Sequence, residues 1–260
     1  TATAINDRGQ IVGYGTYYNS HRGFLLNPLL SLEAINPNPS LLRDGGVTTD
    51  RSLLSSPSVP AAKGLAADGI TPIVLRMHAP ASGILQFHLT DENGQPDAVG
   101  TLSTPGGSER STILDVPVEL IDGRNMAFAV LTAPANFVRL NSNDAGRRNR
   151  AIKIKATFTP SGGGAPLEWN GTLQLFHPPV VLLHGLWGKP TDWVWAIENN
   201  DRFTVHAGDY SWANAGALAG NVVWVRDAVR QAVQKLRSQG IAATQADVVG
   251  HSMGGVLARL

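Results

Sequence analysis

The chain has 260 residues, 43% of them apolar and 16% charged, with a net charge of +1. That is length for two domains and apolar material for a sizeable core, while the near-neutral balance excludes a dedicated nucleic-acid binder, which would carry a strong basic excess. There is no cysteine, which excludes disulfides, thiolate metal sites and cysteine nucleophiles. No metal or cofactor is expected, and no run of about 18 apolar residues reads as a transmembrane segment. The chain opens at Thr1 without a basic-then-apolar leader and stops at Leu260 inside a predicted helix. The expectation is therefore an interior piece of a longer polypeptide.

Residues 1–27 read as short strands, with apolar centres at Ile11-Val12 and Phe24-Leu25-Leu26 and a turn at Asn6-Asp7-Arg8-Gly9. The order Ile5-Asn6-x-x-Gly9-Gln10-Ile11-Val12-Gly13, then Arg22-x-Phe24-Leu25-Leu26, resembles one HAF-type extracellular repeat. Such units stand in arrays, because one alone cannot bury its own face. The alternative is an ordinary hairpin at the edge of the next domain. Residues 28–62, with Asn36-Pro37-Asn38-Pro39 and Ser55-Ser56-Pro57, read as a linker or an irregular lead-in.

Residues 63–176 read as an all-β module. Ile70–His78 and Ile84–Thr90 are strand-like, and Asp91-Glu92-Asn93-Gly94 follows with an Asn-Gly turn. Val116–Ile121 and Ala127–Leu131 come next. In Ala151–Thr159, Ile152, Ile154, Ala156 and Phe158 alternate with Lys153, Lys155, Thr157 and Thr159, giving one buried and one wet face. A loose loop, Ser161-Gly162-Gly163-Gly164, precedes a last strand at Gly171–Phe176. Strands at this spacing between Gly/Pro turns predict a sandwich. Ala67-Asp68-Gly69-Ile70-Thr71 and the Asp91–Gly94 turn loosely resemble bacterial immunoglobulin-like modules.

Residues 178–260 change character. Val180-Val181-Leu182-Leu183 is a continuous apolar run, the mark of a strand buried on both faces of a parallel sheet. Thr191–Glu198 predicts a short helix, Phe203–Ala207 a second strand, and Ala217–Gln239 a long helix with Leu218, Val222, Val225, Val229, Val233 and Leu236 on one stripe. Gly240 stands at the helix stop. Val248-Val249 is a third strand, and Val256–Leu260 starts another helix. This alternation predicts an α/β domain with right-handed crossovers. His177-Pro178-Pro179 is read as the only connection to the β module. The fold class is thus multidomain: a sandwich-like all-β part, then the first half of a parallel α/β sheet.

Two motifs carry chemistry. Gly250-His251-Ser252-Met253-Gly254, extended by Gly255, fits G-x-S-x-G between a predicted strand and a predicted helix. That is the setting of a nucleophile elbow, where a tight turn stands the Ser252 hydroxyl above the strand end and needs small residues at Gly250 and Gly254. His184-Gly185-Leu186-Trp187-Gly188 follows the first apolar strand. A strand ending in H-G-x-x-G turns a backbone N–H into such a site. The two expected oxyanion donors are the amides of Leu186 and Met253.

Together these residues resemble the α/β-hydrolases, most closely the bacterial lipase and esterase branch with H-G-L-x-G and G-H-S-M-G-G motifs. The resemblance covers 178–260. It implies ester hydrolysis through an acyl-serine, with a small-molecule or lipid ester as substrate and His184 as a loop-former rather than the base. It also implies a secreted or surface-attached bacterial protein. The pattern departs from the family after Ser252, where a carboxylate and then a histidine should follow. All seven histidines precede Ser252. The acid and base are therefore expected beyond Leu260, and residues 1–260 alone are expected to be inactive, with an exposed edge on the Ser252 strand.

Other signals are read as structural. Five of six tryptophans lie from Trp187 to Trp224 and are expected to be mostly core, with Trp187 and Trp212 as the alternatives for an acyl-chain rim. Asp209-Tyr210 either lines the pocket or forms a turn. Asp247 opens the Ser252 strand at its far end and is not the triad acid. Arg147-Arg148-Asn149-Arg150 with Lys153 and Lys155 is expected to be a solvated strand face. Asp91-x-Asn93-x-Gln95 lacks the glycine and distal glutamate of a calcium loop. The competing functions are a surface binding protein that contacts a cell surface or polymer through the β module, and an amide or thioester hydrolase on the same fold.

Overall fold

The computed structural model describes residues 1–5, 11–18, 20–26, 30–37, 39–43, 46–140, 142–193 and 200–260. At the N-terminus, Ala2–Ile5, Ile11–Tyr17 and Ser20–Leu26 form an antiparallel three-stranded sheet. The Asn6–Gly9 turn lies outside the described residues.

A two-sheet β module follows. One sheet runs Thr101–Ser103, Arg124–Thr132, Pro72–His78, Ser31–Ile35, with Glu119–Ile121 also paired to Arg124–Thr132. The other runs Ile113–Pro117, Gly83–Thr90, Asn149–Pro160, Leu167–Phe176, Gly64–Ala66, Ile241–Ala242. Their inner faces share one core, with Ile73, Leu75, Ala129 and Leu131 from the first and Leu85, Phe87, Ile152, Ile154 and Phe158 from the second. The alternation read in Ala151–Thr159 holds: Ile152, Ile154, Ala156 and Phe158 are buried, and Lys153, Lys155 and Thr159 are exposed.

The stretch expected as a linker is part of this module. Ser31–Ile35 pairs with Pro72–His78, and a short helix, α1 (Arg51–Ser55), is capped by the Asp50 carboxylate, which accepts from the Ser52 amide at 2.9 Å. Ile35, Leu41, Val47 and Leu54 cover the outer face of the first sheet, against Val74, Met126, Phe128 and Val130. Proline and serine there interrupt regular hydrogen bonding without preventing burial of the apolar residues between them. This explains why Pro72–His78 is buried on both faces.

The arginine-rich segment also departs from expectation. Arg150 is fully buried and donates from Nε to the Phe137 carbonyl at 2.7 Å and from Nη2 to that of Ala98. It shares the inward parity of Ile152 and Ile154, so the strand's own alternation takes it inside. Arg147 grips both oxygens of Glu92, at 2.6 and 2.7 Å. Buried Arg139 joins Asp144 to Asp91, at 2.7 and 2.8 Å. Asp91 Oδ1 accepts the amides of Asn93 and Gln95, so this carboxylate closes its own turn.

The C-terminal α/β unit is built on the parallel sheet Val205–Gly208, Val180–Leu183, Asp247–Gly250, with the fully buried run in the centre. α2 (Leu218–Arg237) packs on one face through Val225, Ala228 and Ala232, with Val181, Leu183 and Tyr210. Of the predicted stripe, Val225, Val233 and Leu236 are buried and Val222 and Val229 half-buried against the core; Leu218 is exposed, and Ala228 and Ala232 widen the buried face. Small residues win because the helix comes close, as a Cβ on Gly208 would stand 2.9 Å from that of Ala228. Gly240, at φ +84°, ends the helical run as a left-handed glycine. Val180, Leu182, Trp193 and Val205 fill the opposite face. The last helix is α3 (Met253–Leu257).

The two parts are coupled by more than His177-Pro178-Pro179. Ile241–Ala242, between α2 and the Ser252 strand, pairs in parallel with Gly64–Ala66 of the β module. Ala66 packs with Val233, Leu236, Ile241 and Ala243, and the Lys63 amide donates to the Gly240 carbonyl at 2.8 Å. The sequence signalled no such pairing, because two residues are too few for a periodicity.

Candidate active site

The parallel register brings Leu183, Gly208 and Gly250 level at the carboxyl ends of their strands. The chain passes from the central strand to one neighbour and then, through α2, to the other. The crevice above the Leu183 and Gly250 ends therefore lies at a topological switch point, where α/β sheets accept ligands. Both motifs of the sequence meet there.

Ser252 stands between Asp247–Gly250 and α3 at φ +52°, ψ −119°. For a residue with a Cβ this is a costly conformation, of order 1–3 kcal/mol, kept where the surroundings impose it. The surroundings are two glycines. A Cβ on Gly250 would lie 2.5 Å from Gly254 C and Gly255 N, and one on Gly254 would lie 2.3 Å from the Leu183 carbonyl oxygen. Gly255 is different, with its nearest neighbour, the Gly250 oxygen, at 3.4 Å. The Ser252 side chain is exposed and makes no capping hydrogen bond to the helix it opens.

The His184–Gly188 loop packs against this turn. A Cβ on Gly185 would sit 3.1 Å from Ser252 Cβ and from His251 Nδ1. The amides of Gly254 and Gly255 donate to the carbonyls of His251 and Ser252, at 2.9 and 3.0 Å. Among the described residues, neither the Leu186 amide nor the Met253 amide enters such a backbone bond. The Gly188 carbonyl accepts from Asn214 Nδ2 at 3.2 Å, and Asp192 Oδ2 accepts the Lys189 amide at 2.9 Å. A cavity of about 520 Å³ opens here, lined by His184–Gly188, Asp192, Trp193, Gly250 and His251.

His184 is buried, at 1% exposure, with both ring nitrogens engaged: Nδ1 contacts the Gly185 carbonyl at 3.0 Å, and Nε2 faces the Tyr210 amide at 3.5 Å. Its ring stacks on that of Tyr210, with centroids 3.9 Å apart and planes 18° apart. The fully buried Tyr210 hydroxyl donates to the His184 carbonyl. Burial pushes that hydroxyl up to about 12, so it stays a donor. Sequence reasoning left Asp209-Tyr210 between pocket wall and turn; the turn reading holds, since the Tyr210 carbonyl accepts the Ala213 amide at 3.0 Å and Asp209 Oδ1 the Ser211 amide at 3.0 Å, whereas the stacking of Tyr210 on a residue of another loop leaves no local pattern.

The tryptophans divide. Trp193 is buried, as expected of core, whereas Trp187 is 78% and Trp212 64% exposed; Trp195 lies outside the described residues. Trp187 adopts φ +61°, the left-handed region. Asp247 lies at the opposite end of the Ser252 strand, beside a cavity with Asp68, His177 and Pro178. Burial there pushes its carboxyl up. The structure therefore separates it from the site, as its strand position required. Among the described residues no group of three or more acidic or histidine side chains is placed to hold a metal, and no helix is long and apolar enough to cross a membrane.

No curated protein matches the chain. Among solved structures, the major pilin subunit of Bacillus cereus aligns at 10% identity and a TM-score of 0.27, covering 68% of this chain and 58% of that one. A family 123 glycoside hydrolase from Clostridium perfringens aligns at 10% identity and a TM-score of 0.20, covering 69% of this chain and 32% of that one. The chain thus spans 58% and 32% of the lengths of those two proteins, and scores this low carry no argument. The family model that does match covers the parallel sheet and both motifs: residues 180–260 are similar to the Alpha/beta hydrolase family.

Proposed function

We propose that this is a serine hydrolase of carboxylic esters, lipase- or esterase-like, belonging to a secreted or surface-attached protein. The observation that carries the reading is Ser252, held at φ +52° between two glycines whose Cβ positions are filled by backbone. A protein core gains nothing from that strain. An exposed serine oxygen above a strand end, beside Leu186 and Met253 amides that enter no backbone bond among the described residues, gives it a use.

In this mechanism a general base takes the Ser252 hydroxyl proton as Oγ bonds to the ester carbonyl carbon. The carbonyl oxygen becomes an oxyanion and accepts from the Leu186 and Met253 amides. The tetrahedral centre collapses, the alkoxide leaves with the proton returned by the base, and an acyl-serine remains. Water, deprotonated by the same base, releases the acid and restores the hydroxyl. His184 is excluded as that base by its burial and its engaged nitrogens. Gly185, Gly188, Gly250, His251, Gly254 and Gly255 frame the loop and the turn.

A fluorophosphonate probe should label the full protein at Ser252 and leave Ser252→Ala unlabelled. Labelled protein should lose hydrolysis of short and long nitrophenyl esters together. Equal labelling of both proteins would end the proposal.

A further inference from the structure

We infer that Tyr210, which belongs to neither motif, is a positioning residue that sets the direction of the Leu186 amide through His184. The inference rests on the serine-hydrolase reading for its purpose and on peptide geometry for its content.

A trans peptide unit is planar, with its C=O and N–H pointing in opposite directions. The Leu186 N–H belongs to the same unit as the Gly185 carbonyl, so whatever fixes that carbonyl aims that amide. Two groups fix it: the Gly188 amide, at 3.0 Å, and His184 Nδ1, at 3.0 Å. His184 can donate from Nδ1 in the neutral tautomer that leaves Nε2 as acceptor. The Tyr210 amide faces Nε2 at 3.5 Å and favours that tautomer. The Tyr210 ring, stacked at 3.9 Å, keeps the imidazole in plane.

The Tyr210 hydroxyl adds a second hold, on the His184 carbonyl. That same carbonyl oxygen is one of the atoms a Cβ on Gly254 would strike, at 2.8 Å. It therefore lies between Tyr210 and Gly254 at the start of α3. One buried side chain thus references the Leu186 amide and the start of α3 to each other. Nothing else about Tyr210 calls for a hydroxyl, since its surroundings of Val181, Leu183, Val225 and Leu257 are apolar.

The test compares Tyr210→Phe, which keeps the stacked ring and removes the hydroxyl, with Tyr210→Leu, which removes both. Val233→Ala, in the apolar cluster away from the site, controls for lost stability. In the full protein we expect Tyr210→Phe to slow the maximal rate of Ser252 phosphonylation about tenfold and Tyr210→Leu about a hundredfold, the scale of a misplaced oxyanion donor. Probe affinity should stay near wild type, and the Gly188 amide, whose protection comes from the Gly185 carbonyl, should exchange with solvent faster in both variants. The idea is overturned if Tyr210→Phe slows phosphonylation no more than Val233→Ala. If wild-type protein is not phosphonylated at Ser252, the serine-hydrolase reading falls. Gly188 exchange then still decides the role of Tyr210: faster exchange in Tyr210→Phe upholds it, and unchanged exchange ends it.

Discussion

Gly254 and Gly255 are adjacent in sequence and identical in type, yet the structure gives them opposite fates on substitution by alanine. A Cβ on Gly254 meets the carbonyl oxygens of Leu183 at 2.3 Å and His184 at 2.8 Å. Neither can swing aside. The Leu183 oxygen already accepts the His251 amide at 3.0 Å, and the His184 oxygen accepts the Tyr210 hydroxyl. α3 must therefore retreat by roughly 1 Å, at an overpacking cost of about 1–3 kcal/mol. At about 2–4 °C per kcal/mol for a chain of this size, the melting temperature should fall by several degrees. The retreat also carries the Met253 amide away from Ser252, and a misplacement of that size costs on the order of 100-fold in rate. A Cβ on Gly255 meets the Gly250 oxygen at 3.4 Å, an ordinary contact, and glycine to alanine in a helix gains roughly 0.5–1 kcal/mol. Thermal denaturation and the second-order rate of fluorophosphonate labelling read both effects. Gly254→Ala should lose stability and labelling together, and Gly255→Ala should lose neither. Matching behaviour of the two variants would refute the packing argument.

Further outcomes follow from the same coordinates. Ser252→Gly should abolish labelling and raise stability by about 1–3 kcal/mol, because it relieves the φ +52° backbone and breaks no capping bond; a melting temperature at or below wild type would refute the strain. Arg139→Met should cost about 3–5 kcal/mol in denaturant unfolding, because it removes the cation that bridges buried Asp91 and Asp144 and leaves Asp91 with backbone amides alone; a loss under about 1 kcal/mol would mean that Arg147 or water replaces it. The hydrogen bonds from Arg147 hold the Glu92 carboxyl at about 2, against an ordinary 4.5, and those from Arg139 hold Asp144 lower still. Both pKa values are depressed on folding, so their contribution is complete above pH 4.5 and is lost as pH falls toward 2. The melting temperature of the wild type should decline through that window, and Arg147→Met should flatten the decline; parallel curves would count against the pairing.

What the sequence made legible was whatever leaves a local pattern. The alternation in Ala151–Thr159 and the apolar run Val180–Leu183 both kept their predicted faces. The Gly250–Gly254 turn was legible because its residue pattern is local, although the atoms that exclude a Cβ at Gly254 belong to Leu183 and His184. Arg150 departs from the solvated face expected of the basic cluster because strand parity, which puts it on the side of Ile152, outweighs the charge of its neighbours. Residues 28–62 were misread because proline and serine mark irregular backbone, and irregular backbone can still bury Leu41, Val47 and Leu54. Tyr210 and the pairing of Ile241–Ala242 with Gly64–Ala66 could not be read at all. Each joins residues far apart in the chain, and a sequence met alone offers no signal for that.

The pairing of Ile241–Ala242 with Gly64–Ala66 also constrains the order in which the molecule can be assembled. A chain emerging from the ribosome completes the strands up to Phe176 first, and at that stage the edge of Gly64–Ala66 has no neighbour on its far side. That edge, with Ala66 uncovered, is open to strand exchange with other nascent chains until α2 and Ile241 have been made. The strand that closes the β module is thus delivered by the α/β unit, so a cut at the composition boundary near residue 177 would not release a self-contained β domain. It would release a sheet fixed at its intermediate stage of synthesis, and the shortest cut that avoids this retains the chain through Ala243.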